Sequence, residues 1–170
     1  TLFKTILRIP RLFTTLASFT LRSPKLKQGL LGGEIRQAKG KQFIQPIVRL
    51  DTDEVVPLDS ALGDGFSLLT IVEHDDVLIE LADTLNTAKL PITFVQATNR
   101  KVTFNSPSEN FKRILDMDGK LVAWFRKYRA QFVIIRPDRY VLGAYTITGL
   151  SQGMKELFSL LCLHSNTGVP

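Results

Sequence analysis

The stretch that decides the fold of this chain is residues 131–145, QFVIIRPDRYVLGAY. Its first half is a short apolar run rich in β-branched residues. The run stops before Pro137, which fixes φ and has no N–H to donate. The residues around Asp138 have turn chemistry. Because residues 140–145 are again apolar and aromatic, the pattern predicts a β-hairpin.

The segments on either side of this hairpin predict a βαβ unit and a terminal helix. Residues 66–72, FSLLTIV, are almost continuously apolar, as expected of a strand with both faces covered. Residues 77–88 have apolar side chains at helical spacing and follow two aspartates, either of which is a good N-cap. Residues 92–95 predict the next parallel strand, and residues 150–163 predict a helix after the hairpin.

Shorter patterns fill the remaining positions. Residues 47–50 and 55–58 predict a small hairpin with a polar tip, and one helical turn follows at residues 58–62. Residues 108–115 predict a short helix. The alternation over residues 100–105 is that of an edge strand, and residues 121–125 fit either a helix or an irregular segment. The predicted order is β-α-β-(α)-β-β-α, an α/β fold of thioredoxin type with a central mixed sheet and flanking helices.

The charge of the chain is unevenly distributed, although its formal net value is +6. Residues 1–41 contain nine Lys and Arg but one acid, Glu34, which leaves 13 basic and 15 acidic residues, a net charge of −2, for residues 42–170. A nucleic-acid-binding domain concentrates basic residues on its own folded surface, so this distribution argues against one. We therefore predict a basic helical segment and linker at 1–41 and a thioredoxin-like domain at 42–170.

The N-terminal extension has several readings. Residues 1–21 are apolar at near-helical spacing, with basic residues and a break at Pro10, but no apolar run approaches the roughly 18 residues of a membrane span. A transit or signal peptide and a basic amphipathic membrane helix both fit. We favour a helix that packs on another domain. Residues 23–40 are rich in Lys, Arg and Gly and predict a flexible connector.

Redox and metal chemistry find little support in the sequence. A thioredoxin-type redox site needs a CxxC motif between the first strand and its helix, but residues 72–76, VEHDD, contain no cysteine. The single cysteine, Cys162, lies on the apolar face of the terminal helix, where we expect a core residue. His74 beside two acids is more typical of a capped helix start than of a metal site, so no metal is predicted.

Three residues are candidates for an interface or a structural role: Arg136, Asp138 and Trp124. The first two flank a proline at a strand end, which favours an ion pair or a turn-stabilising bond, with a domain or subunit contact as the alternative. Trp124 lies among aromatic and basic residues that resemble a stacking surface, but a core anchor explains it better. No catalytic or cofactor-binding residue is predicted in this chain.

The same hairpin resembles part of a known family. A strand that ends in Arg136-Pro137-Asp138, with Tyr140 following, resembles the C-terminal domain of FAD-dependent aromatic-ring monooxygenases. Three other stretches resemble that domain in the same order, covering roughly residues 40–161 in all. They are the linker at residues 40–46, GKQFIQP; the strand entry at residues 58–69, LDSALGDGFSLL; and residues 118–124, DGKLVAW.

The resemblance implies a cytoplasmic parent enzyme that hydroxylates a phenolic substrate with FAD, NAD(P)H and O₂. This chain would be the C-terminal portion of that enzyme, and its partner would be the FAD- and substrate-binding portion of the same protein. Its role would be packing or subunit contact, including contact within a homodimer. The family's flavin motifs are not found in this sequence, so no flavin-binding or catalytic residue transfers to it. The alternative is a free-standing, non-redox interaction module whose basic N-terminal segment is a targeting or membrane element.

Overall fold

The computed structural model describes residues 24–73, 75–87, 92–100 and 111–165. Three predictions fall outside these residues: the readings of residues 1–21, the edge strand at residues 100–105 beyond its first residue, and the role of His74. The side chain of Cys162 also lies outside the described part of the structure, so its burial stays a prediction. In the described part of the chain, none of the helices has both the length and the apolar character needed to cross a lipid bilayer.

Within the described residues, seven strands form one mixed sheet with the spatial order β2-β1-β5-β4-β3-β6-β7. The strands are β1 (Ile47–Leu50), β2 (Val55–Pro57), β3 (Phe66–Thr70), β4 (Ile92–Thr98), β5 (Phe111–Asp116), β6 (Phe132–Ile135) and β7 (Val141–Tyr145). Strands β3, β4 and β5 are parallel to one another, and every other pairing is antiparallel. The helices are α1 (Leu58–Leu62), α2 (Asp75–Thr87), α3 (Lys120–Tyr128) and α4 (Leu150–Ser165).

The helices cover both faces of the sheet. Buried residues of α1 and α3 belong to the apolar cluster on one face, and those of α2 and α4 to the cluster on the other. Every residue of β6 and of β7 is buried, because both faces of these two strands are covered. The result is a three-layer α/β/α arrangement, which confirms the predicted thioredoxin-like fold.

Most of the predicted elements are present. The strand, helix and parallel strand of the βαβ unit are β3, α2 and β4, with Phe66 opposite Ile92. The decisive hairpin is β6 and β7, and the small hairpin with its helical turn is β1, β2 and α1. Residues 121–125 lie within helix α3.

The short helix predicted at residues 108–115 is wrong for the described residues 111–115, which belong to strand β5. The segment follows Pro107, and its residues Phe111, Ile114 and Leu115 have helical spacing in the sequence. In the fold, β5 pairs with β4 on one side and β1 on the other. Pairing on both sides satisfies the backbone N–H and C=O groups of β5, and this stabilises the strand more than the local helical spacing stabilises a helix.

The segment expected to be a flexible connector is bonded to the domain from Leu30 onwards. Here residues 24–41 are called the strap. Three of its amides donate to carbonyls of β7: Gly32 N to Leu142 O at 2.9 Å, Ile35 N to Ala144 O at 3.2 Å and Gly40 N to Val141 O at 2.9 Å. The strap thus covers the outer edge of β7.

Two local features explain why the strap approaches so closely. Gly33 has a φ of +87°, and a Cβ there would lie 2.7 Å from Ala144 N, so only glycine fits. Ala38 is fully buried in the core cluster beside α3. The domain boundary between residues 41 and 42 stays a prediction, but the strap shares its core with the residues that follow.

Candidate functional site

The junction between β3 and α2 is the place where a thioredoxin fold carries redox chemistry, and here polar side chains hold it. Thr70 Oγ1 donates to Gln131 O at 2.8 Å and accepts from Val72 N at 3.0 Å. Gln96 Nε2 donates to Val72 O at 2.9 Å, and Arg113 Nε donates to Gln96 Oε1 at 2.5 Å. Amide, hydroxyl and guanidinium groups therefore fix the loop.

The chemistry of this junction does not suit a dithiol or a dinucleotide. Its sequence has no cysteine, so dithiol exchange cannot occur there. Exposed Glu73 and Asp76 bring carboxylates to the start of α2, where a dinucleotide site would have glycines and a pyrophosphate at the helix N-terminus. The residues here do not fit FAD. Within the described part of the chain, no three His, Cys, Asp or Glu residues are grouped to hold a metal.

The predicted pair Arg136 and Asp138 lies in the turn between β6 and β7. Arg136 Nη2 lies 2.7 Å from Asp138 Oδ2, and Arg136 Nε donates to Asp138 Oδ1 at 3.1 Å, a two-pronged contact. Arg136 Nη1 also donates to Leu30 O at 3.4 Å, which links the turn to the strap. The pair thus braces the turn, and its role toward another domain stays a proposal.

Arg139 is a turn residue that the sequence did not single out. Its backbone is left-handed, with a φ of +65°. Its guanidinium contacts the Asp59 carboxylate and donates to Gly63 O at 2.7 Å, so it joins the hairpin turn to α1. Asp59 precedes Arg139 by 80 positions, and no local pattern indicates this pairing.

Trp124, a residue of α3, is 7% exposed and belongs to the core cluster that α1 and α3 share. Its ring is 4.7 Å from the ring of Phe43, 5.3 Å from that of Phe125 and 4.7 Å from that of Tyr128, measured between centroids. A ring enclosed in this way is not available as a stacking platform for a base. Trp124 instead joins α3 to Phe43, two residues after the strap.

The strap is anchored to β7 and α4 through Tyr145 and Glu156. Glu156 Oε2 accepts hydrogen bonds from Tyr145 Oη at 3.3 Å and from Gly33 N at 3.2 Å. Burial, followed by the neighbouring Glu156 carboxylate, raises the pKa of Tyr145. A Cβ at Gly153 would lie 2.5 Å from the Tyr145 ring, so α4 comes close to the ring only because a glycine is there. Tyr145 therefore fixes three elements at one point.

A second anchor lies at the end of β7. The Thr146 hydroxyl donates to Glu34 Oε1 at 2.7 Å, and the Thr146 amide donates to the same oxygen. These two bonds, the hydroxyl bond first, lower the pKa of the Glu34 carboxyl group. The carboxylate is thus committed to the domain although the residue is exposed.

An open groove of about 670 Å³ lies between the strap and the end of α3. We call it the basic groove, and its walls include Glu34, Ile35, Arg36, Lys127, Tyr128 and Arg129. Lys41 Nζ is close by and donates to Tyr128 Oη at 3.1 Å. The groove thus brings together basic residues that the sequence assigned to two separate segments.

The fold and this junction define a thioredoxin-like domain that lacks a dithiol centre. The chain belongs to the HcaD C-terminal domain family, whose model matches residues 40–160. This membership confirms the resemblance to the C-terminal domain of a hydroxylase.

Curated relatives include the 3-(3-hydroxy-phenyl)propionate/3-hydroxycinnamic acid hydroxylases of Escherichia coli O157:H7 and of Escherichia coli strain K12 / DH10B. The chain is 30% identical to each over 132 residues, which is 73% of this chain and 23% of each relative. It therefore spans about a quarter of the length of these hydroxylases.

Among solved structures, the chain is similar to copper-bound ScoI of Arabidopsis thaliana, with a TM-score of 0.52 and 14% identity. The match covers 67% of this chain and 96% of that one. At this level of identity the similarity concerns the fold alone.

Proposed function

We propose that this chain is the C-terminal portion of a FAD-dependent aromatic hydroxylase, in which its thioredoxin-like domain serves packing or subunit contact and carries no redox chemistry of its own. The observation that carries the proposal is the family match over residues 40–160, in a chain related to hydroxylases over 23% of their length. The cysteine-free β3–α2 junction supports a non-redox role.

The parent enzyme would use NAD(P)H and O₂ to hydroxylate a phenolic substrate in the cytoplasm. FAD and the reacting groups would belong to a separate FAD- and substrate-binding portion, because the junction in this domain brings carboxylates to the place where a pyrophosphate would bind. The names of these related hydroxylases suggest 3-(3-hydroxyphenyl)propionate and 3-hydroxycinnamic acid as the first substrates to test.

Supporting features for a packing role lie on the strap side of the domain. The strap is bonded to β7, and the basic groove opens beside it, so an adjoining portion of polypeptide would meet a surface that is already ordered. A domain that meets its partner with a preorganised surface loses less conformational entropy on docking.

The reading frame upstream of Thr1 gives the first test. The proposal expects a continuous frame with a strand–glycine-loop–helix dinucleotide fingerprint. The encoded protein should then bind FAD and oxidise NADH or NADPH faster when a phenolic acid is present, giving a hydroxylated product. A start codon just before Thr1, with no flavin-binding portion, would instead favour the free-standing interaction module.

A further inference from the structure

The basic groove is rich in hydrogen-bond donors and poor in available acceptors. Arg36, Lys127 and Arg129 are exposed, and among the described residues no ion pair involves any of them. The carboxylate in its wall, Glu34, is already bonded to Thr146. The groove therefore presents positive charge that the described part of the domain does not neutralise.

Tyr128 adds to this donor character. Its ring centroid lies 5.1 Å from Lys41 Nζ and 5.6 Å from Lys127 Nζ, so two ammonium groups approach one aromatic ring. Cation–π attraction holds such groups near the ring but leaves N–H bonds that can still donate. The two lysines are thereby kept at one wall of the groove.

The position at the end of a helix determines which anion suits the groove. Helix α3 ends at Tyr128, and the C-terminus of a helix carries a partial negative charge, whereas compact phosphate groups are held at helix N-termini. Carboxylates spread over a protein surface can be reached by long Arg and Lys side chains without approaching the helix carbonyls. Nucleic acid fits poorly, because residues 24–170, strap included, carry 18 basic and 16 acidic residues, a net charge of only +2.

The polypeptide enters the domain beside this groove. Lys25 Nζ donates to Arg36 O at 3.4 Å, and Leu26 N donates to Gly40 O at 2.7 Å. Any portion of a protein that precedes Pro24 is therefore tethered close to the groove. Tethering raises the effective concentration of such a portion to roughly the millimolar range, so individually weak ion pairs suffice for docking.

We propose that the basic groove is the docking surface for an acidic surface on the portion of the parent hydroxylase that precedes this chain. The inference rests on the proposed function and names the partner for its packing role. Residues 1–23 contain four basic residues and no acid, so the carboxylates would come from further upstream.

The test is carbodiimide cross-linking of the full-length, FAD-containing enzyme, which joins a lysine amine directly to a carboxylate it contacts. We expect Lys127 and Lys41 to be linked to Asp or Glu residues upstream of this chain. Lys127→Arg keeps the charge but removes the amine, so the Lys127 link should vanish while the Lys41 link persists. Lys127→Glu reverses the charge and should abolish the Lys41 link as well, as should high salt.

Three results would overturn the inference: links confined to residues 1–170, links only between differently isotope-labelled copies of the enzyme, or a Lys41 link unchanged by Lys127→Glu. FAD content and hydroxylation are measured on the same samples. If the enzyme binds FAD and hydroxylates but gives one of these results, the docking inference fails and the proposed function stands. An upstream frame without a flavin portion refutes the proposed function itself.

Discussion

The two edges of the sheet are protected in different ways. At one edge, β7 is covered by the strap, whose amides bond to Val141, Leu142 and Ala144. At the other edge, β2 is a three-residue strand, Val55–Pro57, and none of the other described strands lies beyond it in the sheet. An open strand edge invites pairing with other chains, and proteins avoid this by covering the edge or by making it short and proline-containing.

The hydrogen-bond pattern shows how little β2 exposes. Leu50 N donates to Glu54 O at 2.8 Å and Leu58 N donates to Pro46 O at 2.9 Å. Because bonded and non-bonded pairs alternate in an antiparallel ladder, the backbone groups of Val55 and Pro57 point away from β1. Proline has no N–H, so the Val55 amide is the one backbone donor of this strand that points outward. The β2 edge is protected by its own residues, whereas the β7 edge depends on a segment more than 100 positions away in sequence.

Of the changes that test this difference between the two edges, removing the strap should lower the stability most. We expect a fragment of residues 42–170 to unfold with a free energy roughly 3–6 kcal/mol lower than that of residues 24–170. It loses several backbone hydrogen bonds worth about 0.5–1.5 kcal/mol each, together with the buried Ala38. Urea denaturation of the two fragments measures the difference. Equal stabilities would support the boundary between residues 41 and 42 that the sequence predicts.

Truncating the central anchor should come next. Tyr145→Ala removes a ring that is 1% exposed and should lower the free energy of unfolding by about 3–5 kcal/mol. The matched variant Tyr145→Phe keeps the ring and loses the bond to Glu156, so it should cost only about 1 kcal/mol. Denaturation midpoints compare the two. A Phe variant as unstable as the Ala variant would show that the hydroxyl bond matters more than the packing.

Gly33→Ala tests how closely the strap must approach β7. The left-handed φ and the 2.7 Å approach to Ala144 N should together lower the stability by roughly 2–4 kcal/mol. Gly119 has a similar φ of +66° but no atom within 4 Å of an added Cβ, so Gly119→Ala should cost about 1–2 kcal/mol from the backbone alone. Thermal melts give the loss of stability for each variant, and the difference between the two losses is the cost of the close contact at Gly33. Equal losses would show that this contact has no cost.

The smallest effect should be the pH response of the Glu34 anchor. The pKa of this carboxyl group is lower in the folded protein than its ordinary value of 4.5, so its contribution is present above pH 4.5 and is lost as the pH falls through the folded pKa. Glu34→Gln should remove that part of the acid sensitivity, which for an exposed group is at most about 1 kcal/mol. Stability measured between pH 3 and 7 gives the result. Superimposable pH profiles for both proteins would contradict it.

Elements with local signals could be predicted from the sequence. Strands β3 and β6 are apolar runs that end at turn or capping residues, and the contact between Arg136 and Asp138 spans only two positions. Strand β5 was missed because its apolar residues have helical spacing and its pairing partners are distant. The strap was missed for the same reason, since Glu34 and Thr146 are 112 positions apart.

The basic groove, too, could be predicted from the sequence only in part. The basic residues of the strap and of α3 are evident in the sequence, but only the fold brings Arg36 together with Lys127 and Arg129 in one groove. Charge counts alone assigned the positive character to a detached N-terminal segment. Because the strap lies on the domain, part of that charge belongs to the folded surface.

Hydrogen exchange of the intact chain tests most directly whether the strap is an integral part of the domain. The amides of Gly32, Ile35 and Gly40 donate to β7, whereas the Val55 amide points outward from β2. We expect the three strap amides to exchange as slowly as those of the central strands and far more slowly than that of Val55. Strap amides that exchange as fast as the Val55 amide would contradict it.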